Sequence, residues 1–142
     1  MPSFLKIVPG KIISLLYFLF FSVVVFSQGK DTLTYGTMSR EQFGDISVIT
    51  DNWLKNDFQL CLKKEKIKMS CAHCSSVYLK VIACIDSTGR LSSYTKIKTN
   101  VCGREMKTEM ENCMMNYFKS LIFPVSLRNT KIELFLGNGL KC

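Results

Sequence analysis

Histidine is nearly missing from this 142-residue chain, since His73 is the only one. A serine or cysteine nucleophile needs a histidine base held by a third group, and His73 sits between Cys71 and Cys74, two cysteines expected to pair. Proline is scarce as well: Pro124 alone lies beyond residue 27, which excludes an extended proline-rich linker. There is no glycine-rich phosphate loop and no internal repeat. Acidic side chains are in the minority, 11 against 19 basic ones. Of these, Asp86, Glu105, Glu109 and Glu111 fall on a turn and on the polar side of a helix, where solvation accounts for them. The sequence thus points away from an enzyme, and it calls for no cofactor, resident metal or small-molecule substrate.

What is present begins with an export signal. Lys6 and Lys11 give a basic start, and Ile12 to Phe26 is an apolar run without charge, shorter than the roughly 20 residues of a spanning helix. Val25 and Ser27 border a cut expected between Ser27 and Gln28, with a membrane anchor as the alternative if the segment is kept. Removing residues 1–27 takes two lysines and no acid from the net charge of +8, leaving +6. The densest basic run is Lys63, Lys64, Lys66 and Lys68, with Glu65 inside it. Such a run could serve anionic partners such as lipid headgroups or nucleic acid, but without interleaved aromatic residues or a known nucleic-acid fold it reads as a solvated face.

Periodicity divides the remainder. Residues 28–44 are mostly polar and read as a loose N-terminal segment before a single domain over 45–142. Apolar residues recurring from Phe43 to Leu62 predict a short helix within 45–64. Val77 to Ile85 alternates, Asp86-Ser87-Thr88-Gly89 supplies a turn, and Leu91 to Thr99 alternates again, which predicts a β-hairpin. From Arg104 to Leu121 the period changes: Met106, Met110, Cys113, Met114, Tyr117, Phe118 and Leu121 share one helical stripe, which Pro124 terminates. The methionines in it read as core filling. Lys131 to Leu136 forms a last strand, ended by Gly137-Asn138-Gly139. The expected fold is α+β: a three-stranded, mainly antiparallel sheet carrying one long amphipathic helix on one face, with a shorter helix before it.

The strand at 77–85, the AspSerThrGlyArgLeu turn at 86–91, the LeuIlePhePro helix exit at 121–124 and the strand LysIleGluLeuPheLeu at 131–136 together resemble the C-terminal domain of TonB, the energy transducer of Gram-negative envelopes. The resemblance implies an exported protein-binding module, periplasmic or secreted, whose partner is another envelope protein. The chain departs from that family in lacking a proline-rich spacer and in its cysteines at 71, 74, 102 and 142, so the family's energy transduction is not carried over.

All seven cysteines lie in the part that would be exported, where pairing is the default, and an odd count leaves at least one thiol free or bonded to another chain. Tracing strand directions sends Cys102 and Cys142 to one end of the sheet and predicts a bond between them, with Cys71 and Cys74 as competitors. Cys61 is expected to bond Cys71 or Cys74, Cys84 lies at the opposite end, and Cys113 is expected as a buried free thiol. The alternative to a binding module is a secreted thiol-redox or zinc protein centred on Cys71-Ala72-His73-Cys74.

Overall fold

Ser39 and Gln42 decide where the first helix begins. The Ser39 hydroxyl accepts from the Gln42 backbone N–H at 3.2 Å, and the Gln42 side chain accepts from the Ser39 N–H at 3.0 Å. This reciprocal cap satisfies two N–H groups that a helix start would otherwise leave open. In the computed structural model, which describes residues 31–142, helix α1 accordingly spans Arg40–Lys55, ahead of the start expected at residue 45. Asn56 then interrupts the coil, its side-chain amide donating to the Asn52 carbonyl at 3.0 Å, and helix α2 follows at Asp57–Lys64. The apolar spacing read as one short helix is therefore two, and α1, at 16 residues, is longer than the 13-residue helix α3 at Thr108–Ser120. The signal-peptide expectation for residues 1–27 lies outside the described residues.

Strands β1 (Thr32–Leu33), β2 (Ser76–Ile85), β3 (Leu91–Val101) and β4 (Thr130–Gly139) form one sheet in the order β1-β4-β2-β3. The central strand β2 is antiparallel to both β3 and β4, as expected, while β1 joins β4 in parallel and makes the sheet mixed. The added strand comes from the segment expected to be loose. Asp86 builds the hairpin turn: one carboxylate oxygen accepts from the backbone N–H and hydroxyl of Thr88 at 2.8 and 2.7 Å, and from the Arg90 N–H at 3.0 Å. The Thr88 hydroxyl, with the Arg90 N–H behind it, holds the Asp86 carboxyl below its usual pKa.

Alternation places Val77, Leu79, Val81, Ala83 and Ile85 of β2 and Ile132, Leu134 and Leu136 of β4 on one buried face. The helices cover that face with Ile46, Trp53, Phe58, Met110, Met114, Met115 and Phe118, and the whole makes one core. Helix α3 also reaches the β3 side of this face, where Glu111 accepts from the Tyr94 hydroxyl at 3.1 Å and pairs with Lys96 at 2.9 Å. Desolvation, and then the Glu111 bond, raise the Tyr94 pKa. The opposite face carries Tyr78, Lys80, Ile82 and Cys84 of β2, each only partly buried, beside Glu133 and Phe135 of β4.

The final strand runs past the end expected at Leu136, through Gly139. Gly137 lies across from Tyr78 with φ at 146°, and a Cβ there would stand 2.2 Å from the Val77 carbonyl oxygen. Backbone, not a movable side chain, blocks that space. Gly137→Ala should therefore part the ends of β2 and β4 and lower stability by about 3 kcal/mol. Denaturant unfolding checks this, and a loss below about 1 kcal/mol would mean that the strands are not so closely apposed.

Candidate protein-binding surface

Three disulfides fix the layout of the molecule: Cys61–Cys113, Cys71–Cys142 and Cys74–Cys102. The first ties α2 to α3 within the helical layer. The other two gather at the end of the sheet where β2 begins and β3 and β4 finish. All five cysteines expected in disulfides are bonded, but to other partners: Cys102 does not meet Cys142, and Cys61 meets neither Cys71 nor Cys74. Cys113 is bonded instead of free, and Cys84 is the one free cysteine among the described residues. Three such bonds in one domain mark a chain that folds in an oxidising environment, as exported proteins do.

The Cys71-Ala72-His73-Cys74 motif does not close on itself. A tight loop holds it, with the Ser70 N–H donating to the Cys74 carbonyl at 3.0 Å and the Cys74 N–H donating to the Ser70 carbonyl at 2.9 Å. Cys71 and Cys74 leave this loop for different partners, so neither is a thiolate and no vicinal dithiol exists for exchange or metal binding. His73 is exposed and lines a cleft of about 330 Å³ with Glu65, Arg104, Glu105 and Lys107, over a floor of Ile67, Val101 and Met110. Among the described residues no three His, Cys, Asp or Glu side chains come close enough to hold a metal ion. The redox and zinc readings thus lose the ligands they were built on.

A different surface stands out, the outer edge of β3. With β2 on one side and, among the described residues, no strand on the other, the 11-residue strand presents a row of backbone N–H and C=O groups outward. It carries no fully buried residue, and Ile97 is half exposed. The register with β2 slips between Lys80 and Val81 and again between Cys84 and Ile85, so β3 contains extra residues at Ile97 and Ser92. Such irregularities and the charges of Lys96 and Lys98 discourage indiscriminate pairing along an edge, though they leave shorter stretches of it free. The Lys98 ammonium lies 5.9 Å from the centre of the Tyr78 ring, which stacks on Phe135 at 5.0 Å. Of this aromatic pair on the open sheet face, Tyr78 adjoins the edge strand, and Phe135 lies beyond Tyr78 on β4. The alternating sequence showed β3 as a strand, but only the strand order reveals it as an edge.

No helix among the described residues is long and apolar enough to cross a membrane. Comparison of the chain with protein-family models, with curated proteins and with solved structures gives no match.

Proposed function

We propose that this chain is an exported, disulfide-linked, non-catalytic module that binds another envelope protein, and that the partner adds an extended segment to the outer edge of β3. The observation that carries the reading is the edge of β3 that no described strand pairs, with half-exposed Ile97 at its centre and Lys98 beside it, the latter over Tyr78 of β2. Added strands gain affinity from main-chain hydrogen bonds and selectivity from side chains on alternate positions. The order hairpin, helix, strand is the one on which the sequence's resemblance to the TonB C-terminal domain rests. Periplasmic and secreted placements both suit it.

Photo-cross-linking tests the proposal. A cross-linking amino acid at Ile97, used in the native envelope, should trap one protein in good yield, and the same probe at exposed Val48 on α1 should not. Ile97→Asp should weaken that complex about tenfold or more, as expected for a side chain at the centre of an interface. Equal trapping at both sites, or an unchanged affinity for Ile97→Asp, would remove β3 as the binding edge.

A further inference from the structure

We propose that the loop following α2 is a docking surface for anionic phospholipid bilayers. Lys63 and Lys64 end α2, and Lys66 and Lys68 follow it, all four exposed. From residue 58 to residue 85, Glu65 is the only acid, and it lines the neighbouring cleft that contains His73. Among the described residues the two ion pairs are Lys80–Glu133 and Lys96–Glu111, so none of the four loop lysines is neutralised by one. Their positive charge is left for a partner.

What adjoins the lysines selects the kind of partner. Lys63 and Lys68 border a shallow cleft of about 530 Å³ whose other walls are Gln59, Leu62, Ile67, Met69, Asn138 and Leu140. No acidic or aromatic side chain lines it. The Cys71–Cys142 bond pins the end of the chain beside this loop and holds Leu140, which is 39% exposed, in the cleft wall. Ile67 and Met69, each partly buried, complete the aliphatic lining of the cleft. Cations ringing exposed aliphatic groups match the headgroup boundary of an anionic leaflet, where aliphatic side chains enter the acyl region and lysines stay among phosphates. Nucleic acid would be served better by rings on which bases stack, and the cleft has none.

This surface is separate from the β3 edge, and its test leaves that edge untouched. The disulfide-bonded protein is mixed with zwitterionic phosphatidylcholine vesicles, or with vesicles in which about a third of the lipid is phosphatidylglycerol, and sedimented. Each lysine near an anionic surface is expected to contribute about fivefold in partitioning. Lys63→Gln/Lys68→Gln should therefore reduce binding to the anionic vesicles about 25-fold, and Arg90→Gln/Lys131→Gln should not. Raising salt from about 0.1 to about 1 M shortens the screening length from about 10 to about 3 Å and should abolish most of the binding. Leu140→Ser should weaken it further without changing the salt dependence. An attached leader would bind both vesicle types alike and ignore the lysine substitutions, and that pattern would overturn the proposal. So would tighter retention on single-stranded DNA than on anionic vesicles, or equal losses from the two double substitutions.

Discussion

Replacing both Cys61 and Cys113 by alanine should cost the domain about 4 kcal/mol, because their bond spans 52 residues of sequence and its loss frees that loop in the unfolded chain. Small domains are stable by only about 5–15 kcal/mol, so the variant should unfold well below the parent in urea, with a midpoint temperature lower by about 15 °C. The expected size separates two descriptions of Cys113. As the buried free thiol its place on the α3 stripe first implied, it would lose about 1 kcal/mol on truncation. As the partner of Cys61, which is 1% exposed on α2, it anchors one helix to another. Peptide mapping without reduction should yield a Cys61–Cys113 peptide, and labelling of the native protein should consume a single thiol, Cys84. A loss of only about 2 kcal/mol for the double variant, with three free thiols counted in the denatured parent, would show that the bond does not form.

The error in the sequence-based pairing has a definite physical origin. Following the strand directions correctly delivered Cys71, Cys74, Cys102 and Cys142 to one end of the sheet, but direction does not give order. Because β4 pairs with β2, that strand lies between β3 and β4. Cys102 leaves the far end of β3 on one side of β2, its N–H donating to the Ser76 carbonyl at 2.9 Å. On the other side Leu140, just before Cys142, donates its N–H to the Ser75 carbonyl at 2.7 Å. Two strand spacings, roughly 10 Å, therefore stand between the chains carrying Cys102 and Cys142, beyond the reach of a disulfide. Only the segment that leads into β2 can serve both sides, and its two cysteines divide the work: Cys74 bonds Cys102 with Cα atoms 4.4 Å apart, and Cys71 bonds Cys142 at 5.6 Å. With those four used and Cys84 on the opposite sheet face, Cys61 and Cys113 remain for each other.

Elsewhere the legible parts were those governed by period. The hairpin, its Asp86 and Gly89 turn, the α3 stripe and the inward residues of β4 follow from alternation and helical spacing, which local physics dictates. The illegible parts depended on single local interactions or on distant pairing. The Ser39 and Gln42 cap started α1 early, Asn56 split the helical run, and β1 exists only because two residues near the beginning of the described chain lie against Lys131 and Ile132. The candidate binding surface was half legible for the same reason: β3 was evident as a strand, its standing as an edge was not. The lysine run was visible at once, yet its aliphatic neighbour Leu140 is brought to it by a disulfide closing 71 residues of sequence, which no local pattern reports.

Trp53→Ala should be the most damaging single core substitution, at about 4–5 kcal/mol. The indole is 1% exposed and occupies the junction of α1, α2 and α3, with its ring 5.2 Å from Phe58 on α2 and 5.6 Å from Phe118 on α3. Its N–H donates to the Met114 carbonyl in α3 at 3.1 Å. Truncation loses the transfer free energy of the largest apolar side chain in the core and leaves a cavity that the cross-linked helices cannot close. Losses of about 3–5 kcal/mol are usual for aromatic residues in such positions. The Cys61–Cys113 bond sharpens this, because it holds α2 and α3 in place and prevents them from collapsing inward. Trp53→Phe should recover more than half of the loss, since it restores most of the ring volume but not the hydrogen bond. The remaining deficit, about 1 kcal/mol, measures the bond to Met114 together with the residual gap. Urea unfolding of the two variants against the parent decides the matter, followed by circular dichroism because Trp53 is the only tryptophan. If Trp53→Ala and Trp53→Phe lost the same amount, ring volume would not be what this position supplies, and the junction of α1 with α2 and α3 would have to rest on other contacts.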